Sequence, residues 1–130
     1  MKEIKVSAAI IVDNDKIYCV QRGPGRSLEN KWEFPGGKIE SEESAREALA
    51  REIQEELLIK VAIDDEPFAE SIYDYDFGRV HLHAFICRLV NGQPKLTEHI
   101  QYRWLAVDEL ASLDWAPADW PIVHQIQEDF

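Results

Sequence analysis

Glu52, Glu55 and Glu56 are three carboxylates spaced i, i+3 and i+4. On a helix, at about 100° per residue, they fall within one arc of the surface. Leu49, Ile53 and Leu57 form the apolar stripe of the same helix, with Ala45 and Ala48 beside it. The acids therefore stand next to the buried edge rather than opposite it. Like charges at this spacing repel by roughly 0.2–0.5 kcal/mol per pair in water, and by more where solvent is partly excluded. A solvated acidic face would interleave Lys or Arg one turn away. Only Arg51 answers, directed towards Glu47 and Glu55, and Lys60 lies past the helix end. A divalent cation is the other way to compensate the cluster. Mg²⁺ takes oxygen ligands and keeps waters, so a few carboxylates plus substrate phosphates suffice to hold it.

The helix that must carry these residues has its own start signal. Ser44-Ala45-Arg46-Glu47 has the spacing of a capping box, which makes Ser44 the N-cap and predicts a helix from Ala45 to about Leu58. Upstream, residues 4 to 12 alternate loosely and are rich in Ile and Val. Asp13-Asn14-Asp15 marks a turn, and Lys16 to Arg22 reads as the second strand of a hairpin. Gly23-Pro24-Gly25 opens a polar loop, and the short piece Trp32-Glu33-Phe34 ends at Pro35-Gly36-Gly37. Downstream, strand-like runs cover about 68 to 77 and 79 to 90, broken at Gly78, with a turn at Asn91-Gly92-Gln93-Pro94. Tyr102 to Val107 predicts a last strand, Asp108 to Leu113 a short helix, and residues 118 to 129 a C-terminal helix. Strands flanking one strong helix, with helices at the end, predict an α/β sandwich around a mixed sheet.

Composition narrows what that fold can serve. A chain of 130 residues, 45% apolar and 10% aromatic, suits one domain over residues 1–130 with a core of its own. No stretch approaches the roughly 20 apolar residues of a membrane span, and Met1-Lys2-Glu3-Ile4 does not open a signal peptide. Cys19 and Cys87 read as buried thiols of a cytoplasmic protein. The net charge of −11 argues against a nucleic-acid polymer or an anionic membrane as partner. It leaves room for a small phosphorylated ligand whose charge is offset by cations.

The run GKIESEESAREALAREIQEELLI, from Gly37 to Ile59, resembles the Nudix box, G-x5-E-x7-R-E-U-x-E-E-x-G-U with U a bulky aliphatic. Gly37, Glu43, Arg51, Glu52, Ile53, Glu55, Glu56 and Ile59 fall in place, and Trp32 to Gly36 resembles the usual lead-in. Leu58 stands where the pattern has Gly, a change expected to alter how the helix ends and not how metal is held. The resemblance implies a Nudix-type α/β/α sandwich around a mixed β-sheet, acting as a monomer or homodimer. It implies Mg²⁺, with Mn²⁺ as an alternative, held by Glu52, Glu55, Glu56 and the Gly36 carbonyl, while Arg51 and Glu43 orient and brace. Water would then cleave a nucleotide diphosphate linkage to a monophosphate and pyrophosphate, on substrates such as 8-oxo-dGTP or CTP. ADP-ribose, a dinucleotide or a dinucleoside polyphosphate is the alternative substrate class, and a non-catalytic nucleotide-binding domain the third reading. The base that takes the water's proton is Glu98, also an extra ligand, or Glu55; His99 is a neighbour with a suitable pKa.

Arg22, Lys38 and Phe34 match substrate-contacting positions of MutT-like members. Trp115-Ala116-Pro117-Ala118-Asp119-Trp120-Pro121 resembles the segment in which an Asn or Asp after Pro-Ala contacts the base. An ionised Asp119 would accept from the N1–H and N2–H₂ of guanine, whereas cytosine would need it protonated; capping of the C-terminal helix is the plain alternative. His81 and His83 share one face of a strand but have no evident third metal ligand, and read as polar packing or pocket lining. Tyr73, Tyr75 and Phe77 alternate similarly and read as core or as a stacking surface for a base.

Overall fold

The segment Glu3–Asp13 forms β1, and it is central because both of its faces are apolar. Ala8 and Ile10 point into one cluster of buried side chains, Ala9 and Ile11 into another. The computed structural model describes all residues, Met1–Phe130. After β1 come β2 (Lys16–Arg22), β3 (Trp32–Glu33), β4 (Gly36–Lys38), α1 (Ala45–Leu57), β5 (Lys60–Ile63), β6 (Ala69–Tyr75), β7 (Gly78–Asn91), β8 (His99–Leu105), a 3-10 helix (Val107–Ser112) and α2 (Trp120–Asp129).

The strands make one mixed sheet. β1 runs parallel to β7 along ten paired positions, from Glu3 with Arg79 to Val12 with Arg88, and every other pairing is antiparallel. The main path is β3-β2-β1-β7-β5, with β4 on β1, β6 on β7 and β8 on β2. α1 covers one face, where Leu49, Ile53 and Leu57 pack on Ala9, Ile11, Tyr18, Val20, Phe85 and Cys87. The 3-10 helix and α2 cover the other, where Leu110, Ile122, Val123 and Ile126 pack on Ala8, Ile10, Ile17, Cys19, Leu82 and Ala84. This is the α/β/α sandwich that the sequence predicts. Cys19 and Cys87 are both free and buried, on opposite faces of the sheet. No helix is long and apolar enough to cross a membrane.

Turn chemistry sets the hairpins. Asn14 and Asp15 both adopt positive φ, 50° and 61°, which closes the β1–β2 hairpin as a two-residue turn requires. The last strand begins at His99 and not at Tyr102, because its pairing with β2 reaches Arg22, past a register shift at Gln21/Arg22. β4 and β5 were not legible as strands. β4 is mostly glycine and exists because it pairs with β1.

The end of α1 corrects the expectation for Leu58. The helix stops as a glycine would stop it: Leu58 takes the left-handed conformation, φ 57° and ψ 37°, and donates its N–H to the Gln54 carbonyl at 3.1 Å. Its side chain is half exposed, so the position carries backbone strain of about 1–2 kcal/mol with little burial in return.

Candidate active site

α1 begins as its sequence dictates. Glu47 donates its N–H to Ser44 Oγ at 3.1 Å, and Ser44 donates its N–H to Glu47 Oε1 at 2.8 Å. This box fixes the rotation of the helix, so Glu56 falls on its buried side and Glu52 on the boundary. Glu55 is 60% exposed and lies outside the cleft, 3.7 Å from Arg51. Arg51 keeps its expected contact with Glu55 and corrects the one with Glu47. Its guanidinium turns from Glu47 to Glu43, at 2.8 and 2.9 Å, and to Glu52, at 2.6 Å. Glu43 in turn accepts from the Glu40 N–H at 3.0 Å. Beside this guanidinium the Glu43 carboxyl is pulled down to about 2.

Gly36 and Gly37 are glycines for steric reasons. A Cβ on Gly36 would collide with the Ser7 carbonyl of β1, and one on Gly37 with the Glu52 carboxylate. The missing side chain at Gly37 is the space in which the Glu52 carboxylate sits.

These elements enclose one side of a cleft of about 570 Å³, within the range of small-molecule sites. Glu52 and Glu56 line it from α1, Gly36, Gly37 and Lys38 from β4, Glu98 and His99 from the start of β8, and Phe34 and Asp119 from the opposite wall. The Glu98 loop is tied to the helix, since Thr97 Oγ1 donates to the Glu56 carbonyl at 2.6 Å and the Lys95 N–H to the Leu57 carbonyl at 3.0 Å.

Glu56 is the strongly perturbed acid of the helix. It is 7% exposed, and its Oε1 is buried with no hydrogen-bond partner. Burial first, then the neighbouring charges of Glu98, Glu52 and Glu33, push its carboxyl up to about 9. A buried acceptor with no donor, among other carboxylates, costs stability unless a cation completes it. Oxygen-only ligands of this kind suit Mg²⁺ or Mn²⁺.

Glu33 is a residue that sequence reasoning passed over as part of the lead-in. Its carboxylate accepts from Arg22 Nη1 at 3.1 and 3.3 Å and lies 2.9 Å from His99 Nε2. Arg22 is thus held on the cleft wall, with its Nε on the Ser27 carbonyl at 2.8 Å. The register shift at Gln21/Arg22 brings Arg22 and His99 opposite each other, a common use of an irregular pair beside a site. Arg26 is a second omission. It lines the cleft and donates to the Glu98 carbonyl at 3.3 Å, and its place in a glycine-opened polar loop was the available signal.

On the far wall Asp119 does not cap α2, correcting that alternative: its side chain makes no capping bond. Instead Oδ2 accepts the Phe34 N–H at 3.0 Å. Asp119 is 6% exposed, and burial, then the Glu33 charge, push its carboxyl well above the usual range. Burial thus favours the neutral acid, the form that cytosine would require, over the ionised form that would suit guanine. β6 holds this wall in place, since Ser71 Oγ donates to the Ala118 carbonyl at 2.5 Å and the Ala118 N–H donates to the Tyr75 hydroxyl at 2.9 Å. Tyr75 and Phe77 stack at 5.0 Å and line the cleft, whereas Tyr73 is exposed outside it.

Comparison with known proteins agrees with this geometry. The NUDIX domain model matches residues 3–126. The chain is 38% identical to the CTP pyrophosphohydrolase of Escherichia coli (strain K12), covering 95% of this chain and 90% of that protein. It is 30% identical to the 8-oxo-dGTP diphosphatase of the same organism, covering 98% of each. A solution structure of the MutT protein of methicillin-resistant Staphylococcus aureus 252, described as a Nudix hydrolase, is 43% identical, with a TM-score of 0.81 over 99% of this chain and 98% of that one.

Proposed function

The chain belongs to the Nudix family, and from that premise we propose that it hydrolyses nucleoside triphosphates to the monophosphate and pyrophosphate in a divalent-metal-dependent reaction, with cytosine as the favoured base. The unpartnered Oε1 of Glu56, inside a carboxylate-lined cleft, is the observation that carries the reaction. Glu52, Glu56 and Glu98 with the Gly36 carbonyl would hold Mg²⁺ or Mn²⁺, and Glu55 would join from the rim. Held there, the ion would supply charge neutralisation of the diphosphate and a lowered pKa for a water.

The chain's own residues supply the rest. Arg51 fixes the Glu52 carboxylate, and Glu43 holds Arg51, so the ligand set is oriented before substrate arrives. Arg22, Arg26 and Lys38 offer cations along the cleft for the phosphates, and Phe34 forms part of the nucleoside wall. Glu98 takes the proton of the attacking water. It is preferred to Glu55 because it lines the cleft and Glu55 does not.

The base assignment begins at Asp119. A neutral carboxyl offers one donor and one acceptor, which match N3 and N4–H₂ of cytosine. Guanine presents a matching pair at O6 and N1–H, and the 38% identity to a CTP pyrophosphohydrolase is what favours cytosine. The test is product analysis with Mg²⁺ on CTP, dCTP, dGTP, 8-oxo-dGTP and ADP-ribose. Cytidine monophosphate and pyrophosphate, formed with the highest kcat/KM, support the proposal. Preference for 8-oxo-dGTP overturns the base alone, AMP from ADP-ribose as the main product overturns the substrate class, and no turnover overturns the reaction.

A further inference from the structure

His81 and His83 stand two positions apart on one face of β7, with ring centroids 4.2 Å apart and planes at 27°. The sequence shows no third partner for them. Strand pairing supplies one, because Glu70 of β6 lies directly opposite His83 in the antiparallel register. Glu70 Oε1 is 3.0 Å from His81 Nε2 and 2.9 Å from His83 Nδ1. The three candidate ligand atoms all lie within 4.8 Å of one another. The group is on the sheet face of Phe85 and Cys87, and none of its members lines the nucleotide cleft.

We propose that Glu70, His81 and His83 form a second metal site, for a borderline divalent transition-metal ion of the Zn²⁺ type, with its remaining coordination open to solvent. Two imidazoles and one carboxylate are a ligand set that such ions favour, whereas Mg²⁺ prefers oxygen alone. The spacing is close to what the ion needs. Metal–ligand bonds of about 2.0–2.2 Å in tetrahedral geometry separate ligand atoms by about 3.3 Å, so the two Glu70–histidine distances open by only a few tenths of an ångström, and the two nitrogens lie within 4.8 Å of each other. The platform is stiff, since β7 is paired on both sides over this stretch, with β1 and with β6. The imidazoles are only partly exposed, at 30% and 20% of their side-chain surface, while the open side leaves Glu70 half exposed. Lys5, paired with His81 on β1, is the facing cation; its side chain is exposed and free to turn away.

Occupancy would join the edge strand β6 to β7 through side chains as well as backbone. The next residue of β6, Ser71, points to the other face and holds Ala118, so the same strand links the metal site to the wall that carries Asp119.

The experiment is calorimetric titration of the full chain with Zn²⁺ in excess Mg²⁺, which keeps the cleft carboxylates occupied, with the visible spectrum of the Co²⁺-substituted protein as a second readout. The proposal expects one Zn²⁺ per chain and Co²⁺ ligand-field bands showing nitrogen ligation. His81→Gln and His83→Gln, which retain polar side chains, should each weaken binding by roughly tenfold or more, as even changes around metal ligands do. Glu70→Gln should also weaken it, and Lys5→Ala should strengthen it. Glu52→Gln and Glu56→Gln should leave it unchanged. Absence of Zn²⁺ binding, equal binding by the histidine variants, or loss of binding in the Glu52 and Glu56 variants would each overturn it.

Discussion

The backbone N–H of Phe34 donates to Oδ2 of Asp119 at 3.0 Å, across 85 positions of chain. That bond joins the segment leading to Gly36 and Gly37 with the start of α2, so the strand that carries the two glycines is tied to the Asp119 wall at one buried carboxyl. Because the carboxyl is 6% exposed and lies near Glu33, its charged form is disfavoured in the folded chain.

Asp119 should therefore make stability pH-dependent. A carboxyl whose folded pKa is raised binds its proton more tightly in the native state. Its contribution is fully present below the unfolded value, near 3.8, and is lost as pH rises towards the raised folded value. Asp119→Asn keeps an acceptor for the Phe34 N–H and carries no proton to lose. The variant should match the parent near pH 4 and be more stable at pH 8, as measured by urea unfolding at both values. It should also shift the ranking of CTP against GTP in kcat/KM. An identical pH dependence of stability in the two proteins would refute the neutral-acid assignment.

Glu56→Gln should separate stability from activity. Without metal, the parent's carboxyl is pushed from 4.5 up to about 9 in the folded chain, so the stability its proton contributes is full below pH 4.5 and is lost as pH rises towards 9; the neutral amide loses no proton and should be the more stable side chain at pH 7 and above. Activity should fall by about 10² to 10³, the size found when one charge-stabilising group leaves an active site. Thermal unfolding with and without Mg²⁺ measures both, and the Mg²⁺-induced rise in Tm should vanish in the variant.

Glu98→Gln and Glu55→Gln test which acid is the base. Loss of a general base costs about 10² to 10⁴ in rate. The expected loss falls on Glu98, within the cleft, while Glu55→Gln should stay within a few-fold of the parent at saturating Mg²⁺. The reverse order of effects in kcat would move the base to the helix.

Leu58 offers a stability test remote from the chemistry. Its positive φ favours glycine, and its side chain contributes little burial. Leu58→Gly should be neutral to stabilising by less than about 1 kcal/mol, the strain relief being partly offset by the freer unfolded chain. Leu58→Val should destabilise by about 1–2 kcal/mol, because a β-branched residue tolerates this conformation worse. Urea midpoints with unchanged slopes provide the check.

What the sequence made legible was local in origin. The capping box at Ser44 and Glu47 and the spacing of Glu52, Glu55 and Glu56 act within a few residues, and the helix bounds follow from them. Features that depend on strand register were not legible. Glu70 meets His83 only through the β6–β7 pairing, and Arg22 meets His99 only past the register shift of β2 and β8. Glu33 was hidden because its partners lie far along the chain, and the neutral state of Asp119 because burial comes from tertiary packing.

The sheet divides the molecule's labour. The helix with Glu52 and Glu56 packs on one face, and the Asp119 wall grows from the cluster on the other, so the two walls share a backbone but not a core. On the proposed assignment, repacking beneath α2 would retune which base is read without loosening the helix that carries Glu52 and Glu56, and substitutions drawn from the two clusters should combine additively in stability.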